Sequence, residues 1–271
     1  MKRSTLSLPE VLDDAFALTV RLASPWMGVL WLTALPLRLL QIHFAVRVFD
    51  LGGEAGQYGA HLLDLATLTG LAFLLSLWGR AVFVRAAGLS LRSLESPGWE
   101  ALRIAPAAGL SYVYAALVFE ILFFALGWTL VGLPLLVLLA GMAAATSPLN
   151  ERPGLLQPLR ETARHCTPLV VLLGLLFVFG VALLIAAVNL YFVFRFGLWL
   201  AGGVPGLDLT SWRGLLDLSS SRFRWVLLLG AILVVEPYWL AALVVHVHKV
   251  RSRESGEDLR LWFTRLRREA A

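Results

Sequence analysis

Arg38, Asp64, Glu120 and Glu236 are ionisable side chains set inside long apolar stretches of this chain. A charge in hydrocarbon costs several kcal/mol, so a residue kept there is a candidate for moving a proton or an ion, or for tying helices together as a buried pair. Arg38, Glu120 and Glu236 each lie 13 or 14 residues from the end of their stretch that the charge pattern places in the cytoplasm. At about 1.5 Å per residue they reach a common layer roughly 20 Å deep. Such an intramembrane charge cluster has two uses. It is a proton or ion site between the first, third and sixth helices, or an ion pair that fixes how those helices pack.

Pro237 follows Glu236 directly. Proline has no amide hydrogen, so the carbonyl of Leu233, one turn back, loses its helical donor. The resulting helix kink is either a gating hinge or one of the proline kinks that stable membrane helices carry.

Other groupings are weaker. His61, Asp64 and Thr67 recur every three residues on one face of the second helix, while His246 and His248 point to different faces of the sixth. Neither set has metal-site spacing, and no His-Glu-x-x-His or cysteine pair occurs. No Gly-x-Ser-x-Gly elbow, phosphate-binding glycine loop or paired-aspartate protease signature is present either, so an enzyme has no positive support and no cofactor or metal is implied. The lone Cys166 has no partner for an internal disulfide and reads as an acylation point beside a span or as a small apolar residue.

The elements that must position these side chains are membrane helices. From Ile104 to Asn150, 47 residues pass with Glu120 as the only formal charge. A hydrocarbon core of about 30 Å takes roughly 20 residues, so the stretch suits two crossings, or one with a re-entrant piece. Composition agrees: 15% of residues are charged and 59% hydrophobic, where soluble chains carry about a quarter charged. The expected fold is all-α, a single polytopic membrane helix bundle over 1–271. Its six spans fall at about 25–48, 59–82, 106–128, 131–147, 168–190 and 225–249, with amphipathic interfacial helices at both ends.

The first of those end helices covers 7–23. Glu10, Asp13 and Asp14 interrupt the apolar core that a cleavable signal needs. Ser7 and Glu10 have capping-box spacing, Pro9 suits a first turn, and Val11, Ala15, Phe16, Leu18 and Leu22 supply an apolar face. It lies in the cytoplasmic interface or packs on the protein's own inner face. In the tail at 250–271, Leu259, Trp262, Phe263 and Leu266 form a stripe bordered by Arg260, Arg265, Arg267 and Arg268, a pattern for anionic headgroups or for a docking partner.

Two inner loops echo each other, Pro97 to Arg103 and Pro153 to Arg160. Each opens with Pro-Gly and leads into a span after a second proline, Pro106 or Pro168. Each is expected to be a short elbow helix. On the other side, Tyr191, Phe192, Phe194, Phe196 and Trp199 form an aromatic girdle before a break at Gly202, Gly203, Pro205 and Gly206, and Trp212, Leu215 and Leu216 share a face of a short helix. Of the 23 basic residues, 17 fall in segments assigned to the cytoplasm, while the loop from Asp50 to Tyr58 has none, so both termini are expected inside.

The passages Glu236-Pro237-Tyr238-Trp239-Leu240-Ala241-Ala242, Arg251 to Arg260, and Leu12-Asp13-Asp14-Ala15-Phe16-Ala17-Leu18 resemble a group of uncharacterised bacterial multi-spanning membrane proteins. That group is distantly similar to the membrane domain associated with glycerophosphodiester phosphodiesterases, without its catalytic domain. The resemblance implies a six-helix bacterial inner-membrane protein with no catalytic residue, one component of an envelope assembly. The function expected is a non-enzymatic scaffold that positions partner proteins, the alternative being a small transporter or a proton- or ion-conducting subunit that uses Arg38, Glu120 and Glu236.

Overall fold

The computed structural model describes residues 6–50, 59–93, 97–126, 129, 132–149, 154, 156–166, 168–203 and 216–255, with side chains described except at 44–50, 59–65, 93, 124, 126, 149 and 255. All regular structure among them is helical. In chain order the α-helices are α1 (Leu8–Arg21), α2 (Trp26–Asp50), α3 (Gly59–Ser93), α4 (Pro106–Leu126), α5 (Gly132–Thr146), α6 (Gln157–His165), α7 (Leu169–Ala201) and α8 (Ser221–Ser255). Single 3-10 turns at Trp99–Leu102 and Ser147–Leu149 join some of them.

Within α3, α4, α7 and α8, the segments Ala66–Arg92, Pro106–Phe123, Leu169–Ala201 and Ser221–Glu254 are each long and apolar enough to cross a membrane. Among the described residues, the α2 segment Trp26–His43 meets that measure when taken together with α1. α5, with 15 residues, is about 22 Å long. Three helices outrun their expected spans: α3 continues to Ser93 instead of 82, α7 to Ala201 instead of 190, and α8 runs from Ser221 to Ser255 instead of 225–249. Backbone hydrogen bonding has no reason to stop at the hydrocarbon edge. α7 ends only where Gly202 and Gly203 supply a break, and the aromatic girdle is therefore part of the helix. The short helix expected around Trp212 lies outside the described residues, as does the amphipathic tail with Arg260, Trp262, Phe263, Arg265, Arg267 and Arg268.

The chain forms two compact units, and α2, α3, α7 and α8 contribute to both. The first comprises Met1–Met27, Arg80–Leu176 and Tyr238–Ala271. Its centre is the α8 segment Trp239–Val247, in which every side chain is buried. A helix apolar all round requires such a surround. Gly141 of α5 lets this segment approach: a Cβ there would meet the Trp239 indole at 2.8 Å and a Leu243 methyl at 2.6 Å. α4 and α5 pack as a hairpin through Ala115, Phe119, Leu136 and Ala143, with Leu159 of α6 against them. The Thr129 hydroxyl opens α5 by accepting the Gly132 amide at 2.9 Å.

α1 packs on this unit. Val11, Ala15, Leu18 and Leu22 are buried, and Leu8 fills the space where Gly174 of α7 lacks a Cβ. Phe16, expected on that face, is 66% exposed. One residue past Ala15, it is turned about 100° away. Ser7 occupies the N-cap position, yet its side chain makes no capping bond. Of the two elbows, the first is the 3-10 turn, where Trp99 lies edge-on to Trp26 at 6.5 Å. The second is α6, led by a reciprocal pair in which Gln157 N donates to Gly154 O at 3.0 Å and Gly154 N to Gln157 Oε1 at 3.2 Å.

The second unit comprises Gly28–Gly79 and Phe177–Pro237, so that parts of α2, α3, α7 and α8 meet. Gly79 of α3 admits the Thr33 side chain of α2 into the place of a Cβ, and that hydroxyl turns back to Val29 O at 2.8 Å. Phe223 of α8 packs between Tyr191 and Phe194 of α7, ring centroids 6.2 and 5.7 Å away.

Candidate functional site

The expected charge layer yields a pair. Arg38, from α2, places Nη2 3.4 Å from Glu236 Oε2 of α8, with side chains only 11% and 8% exposed. Its Nη1 donates to Gln41 Oε1 at 2.8 Å, one helical turn along. The Arg–Glu contact is longer than the 2.7–2.9 Å of a tight charge-assisted bond. Desolvation offsets most of its Coulomb attraction, and its weight lies in what breaking it would leave, a buried charge deprived of this counter-ion.

One turn along α8, Trp31 of α2 donates its indole Nε1 to the Leu233 carbonyl at 2.9 Å. This is the acceptor that Pro237 deprives of a helical donor. α2 and α8 are thus joined at two points, seven residues apart on α2 and three apart on α8. A tryptophan suits the Leu233 carbonyl because its donor sits on a large apolar ring, here left 37% exposed.

Glu120, expected in the same layer, is exposed on α4 and belongs to the first unit, whereas Arg38 and Glu236 belong to the second. The side chains of His61 and Asp64 lie outside those described. Thr67 is exposed. Among the described residues no group of three His, Cys, Asp or Glu side chains could hold a metal ion.

A second polar assembly, which the spacing of residues did not announce, fastens α6 to α8 in the first unit. His165 is buried and its Nδ1 lies 2.7 Å from Glu161 O. Arg251 donates Nε to His165 Nε2 at 3.3 Å and Nη2 to Glu161 Oε2 at 3.2 Å. Arginine can only donate, so His165 accepts at Nε2 and carries its proton on Nδ1. His246 Nε2, also buried, donates to His165 O at 3.1 Å. Outside this core Arg164 pairs with Glu254 at 2.9 Å. Lys249 pairs with Asp14 at 2.6 Å, and Tyr238 donates to Leu12 O at 3.4 Å, so α1 is tied to the same helix. The i, i+4 pair Glu161 and His165 could have been noticed in sequence; the Arg251 contact, 86 residues from His165, could not.

Cys166, between α6 and α7, is half-buried. Burial pushes its thiol pKa up. That opposes the thiolate a nucleophile needs.

No protein-family model, curated protein or solved structure matches the chain. The helices and the site define an all-α helical membrane bundle.

Proposed function

We propose that the protein is a non-enzymatic component of the bacterial inner membrane that positions or binds partner proteins. The observation that carries this reading is the direct Arg38–Glu236 contact. With Trp31 on the Leu233 carbonyl, the charge and the proline that a transporter would use to open a path are engaged in holding α2 to α8. The reading includes six crossings with both termini in the cytoplasm, supported by the positive-inside rule, since this assignment puts 17 of the 23 basic residues in cytoplasmic segments. It also includes a tail that meets anionic headgroups through Arg260, Arg265, Arg267 and Arg268. The resemblance to uncharacterised multi-spanning proteins points the same way.

The test is isolation of the full-length protein from its own membrane in mild detergent. A companion protein retained in constant stoichiometry is expected. Isolation of the chain alone, together with proton or ion flux in liposomes that Glu236→Gln abolishes, would replace this reading with a small transporter or conducting subunit.

A further inference from the structure

Glu120 is the only formal charge in the 47 residues from Ile104 to Asn150, and α4 turns it outward. Ala108, Ser111, Tyr112, Ala115 and Phe119 form the buried side of α4. Leu110, Tyr114, Leu117, Ile121 and Phe123 are exposed, from 36% for Tyr114 to 68% for Ile121. At 100° per residue Glu120 falls within that outward arc, between Phe123 and Leu117. Only 28% of the apolar window of α4 is buried.

An outward apolar arc alone would be covered by lipid. A carboxylate in its midst changes the requirement, because ionisable residues in membrane segments pair with another polar group or line a water-filled cavity. The hairpin of α4 and α5 has no cation to offer. We propose that this face of α4 receives a membrane helix of another protein that carries a lysine or arginine at the depth of Glu120, the apolar side chains packing on either side of the charge pair. A second copy of the chain fits less well, since Glu120 facing Glu120 sets like charges together. The proposal rests on the partner-binding reading and names the chemistry of that partner.

The test uses full-length protein in phosphatidylcholine liposomes with a labelled 23-residue leucine-rich membrane peptide that carries one lysine two-thirds along its length, and with its all-leucine counterpart. Energy transfer should show the lysine peptide associating roughly three- to tenfold more tightly, the range that polar contacts between membrane helices supply. Glu120→Leu and Glu120→Gln should each erase the preference without loss of helicity. Equal association of the two peptides, or a preference that survives both substitutions, would overturn the proposal. So would self-association of the wild type that Glu120→Leu abolishes while no peptide preference is seen, since the face would then take a second copy. In native membranes Glu120→Leu should lose the retained companion. If the variant keeps it, the α4 face is not the docking site while partner binding stands. A wild type with no companion would defeat the partner-binding reading itself, whatever the peptides do.

Discussion

The indole of Trp31 donates at 2.9 Å to the carbonyl of Leu233, the group left without a helical donor by Pro237 four residues on. A proline inside a membrane helix is tolerated when something outside the helix takes over the freed carbonyl, and here the neighbouring helix does so. This makes the proline a point of attachment between α2 and α8.

If that is its role, Trp31→Phe should destabilise the protein by about 1 kcal/mol, the usual net worth of a hydrogen bond. In a Pro237→Ala background the alanine amide can take the Leu233 carbonyl, so the same substitution should cost clearly less. Thermal unfolding of the four proteins in detergent reads the difference. Equal costs in both backgrounds would show that Trp31 contributes packing alone.

Gly141 and Gly79 allow close helix approach, and Gly70 and Gly180 face open space. Overpacking costs about 1–3 kcal/mol, so Gly141→Ala and Gly79→Ala should lower the melting temperature. Gly70→Ala and Gly180→Ala should leave it unchanged or raise it slightly. A uniform response across the four would mean that the approaches at Thr33, Trp239 and Leu243 are not tight.

Arg251 holds both His165 and Glu161. Arg251→Met should therefore loosen α6, costing on the order of 1–3 kcal/mol for buried polar groups left unsatisfied. Limited proteolysis between α6 and α7 should then proceed faster than in the wild type. Unchanged proteolysis would make the contact incidental.

Cys166 should alkylate slowly at neutral pH. Burial raises its thiol pKa, so at any pH below that value less thiolate is present than for a free cysteine, whose pKa is about 8.5. The rate of iodoacetamide labelling in the folded protein should reach half its maximum at a higher pH than in the unfolded chain. A profile shifted to lower pH would indicate an activated cysteine.

Much of this bundle can be read from the chain because length, apolarity and Gly/Pro punctuation are local. The beginnings of α4 at Pro106 and α7 beside Pro168 are examples. Depth is also local: the residue count along each helix puts Arg38 level with Glu236, and the missing amide of Pro237 singles out the Leu233 carbonyl. Rotation is not local. The spans are apolar all round, so their patterns contain little information about which side faces inward, and Glu120, within one residue of the count for Glu236, turns outward on α4. The donor Trp31, 202 residues from Leu233, depends on packing that no spacing encodes. The same holds for Arg251 on His165, and Phe16 shows how one residue of rotation separates a buried face from an exposed one.

On the proposed reading, Arg38 and Glu236 hold α2 to α8 and do not carry ions. A double-substitution cycle on the full-length protein, read as folded yield and as proton flux in liposomes, tests it most directly. Arg38→Leu alone should reduce folded yield, since removing one member of a buried pair typically costs about 3–5 kcal/mol. Arg38→Leu with Glu236→Gln should recover part of the loss, and none of the proteins should conduct. Yields that never change, together with a wild-type proton flux that Glu236→Gln abolishes, would contradict the account.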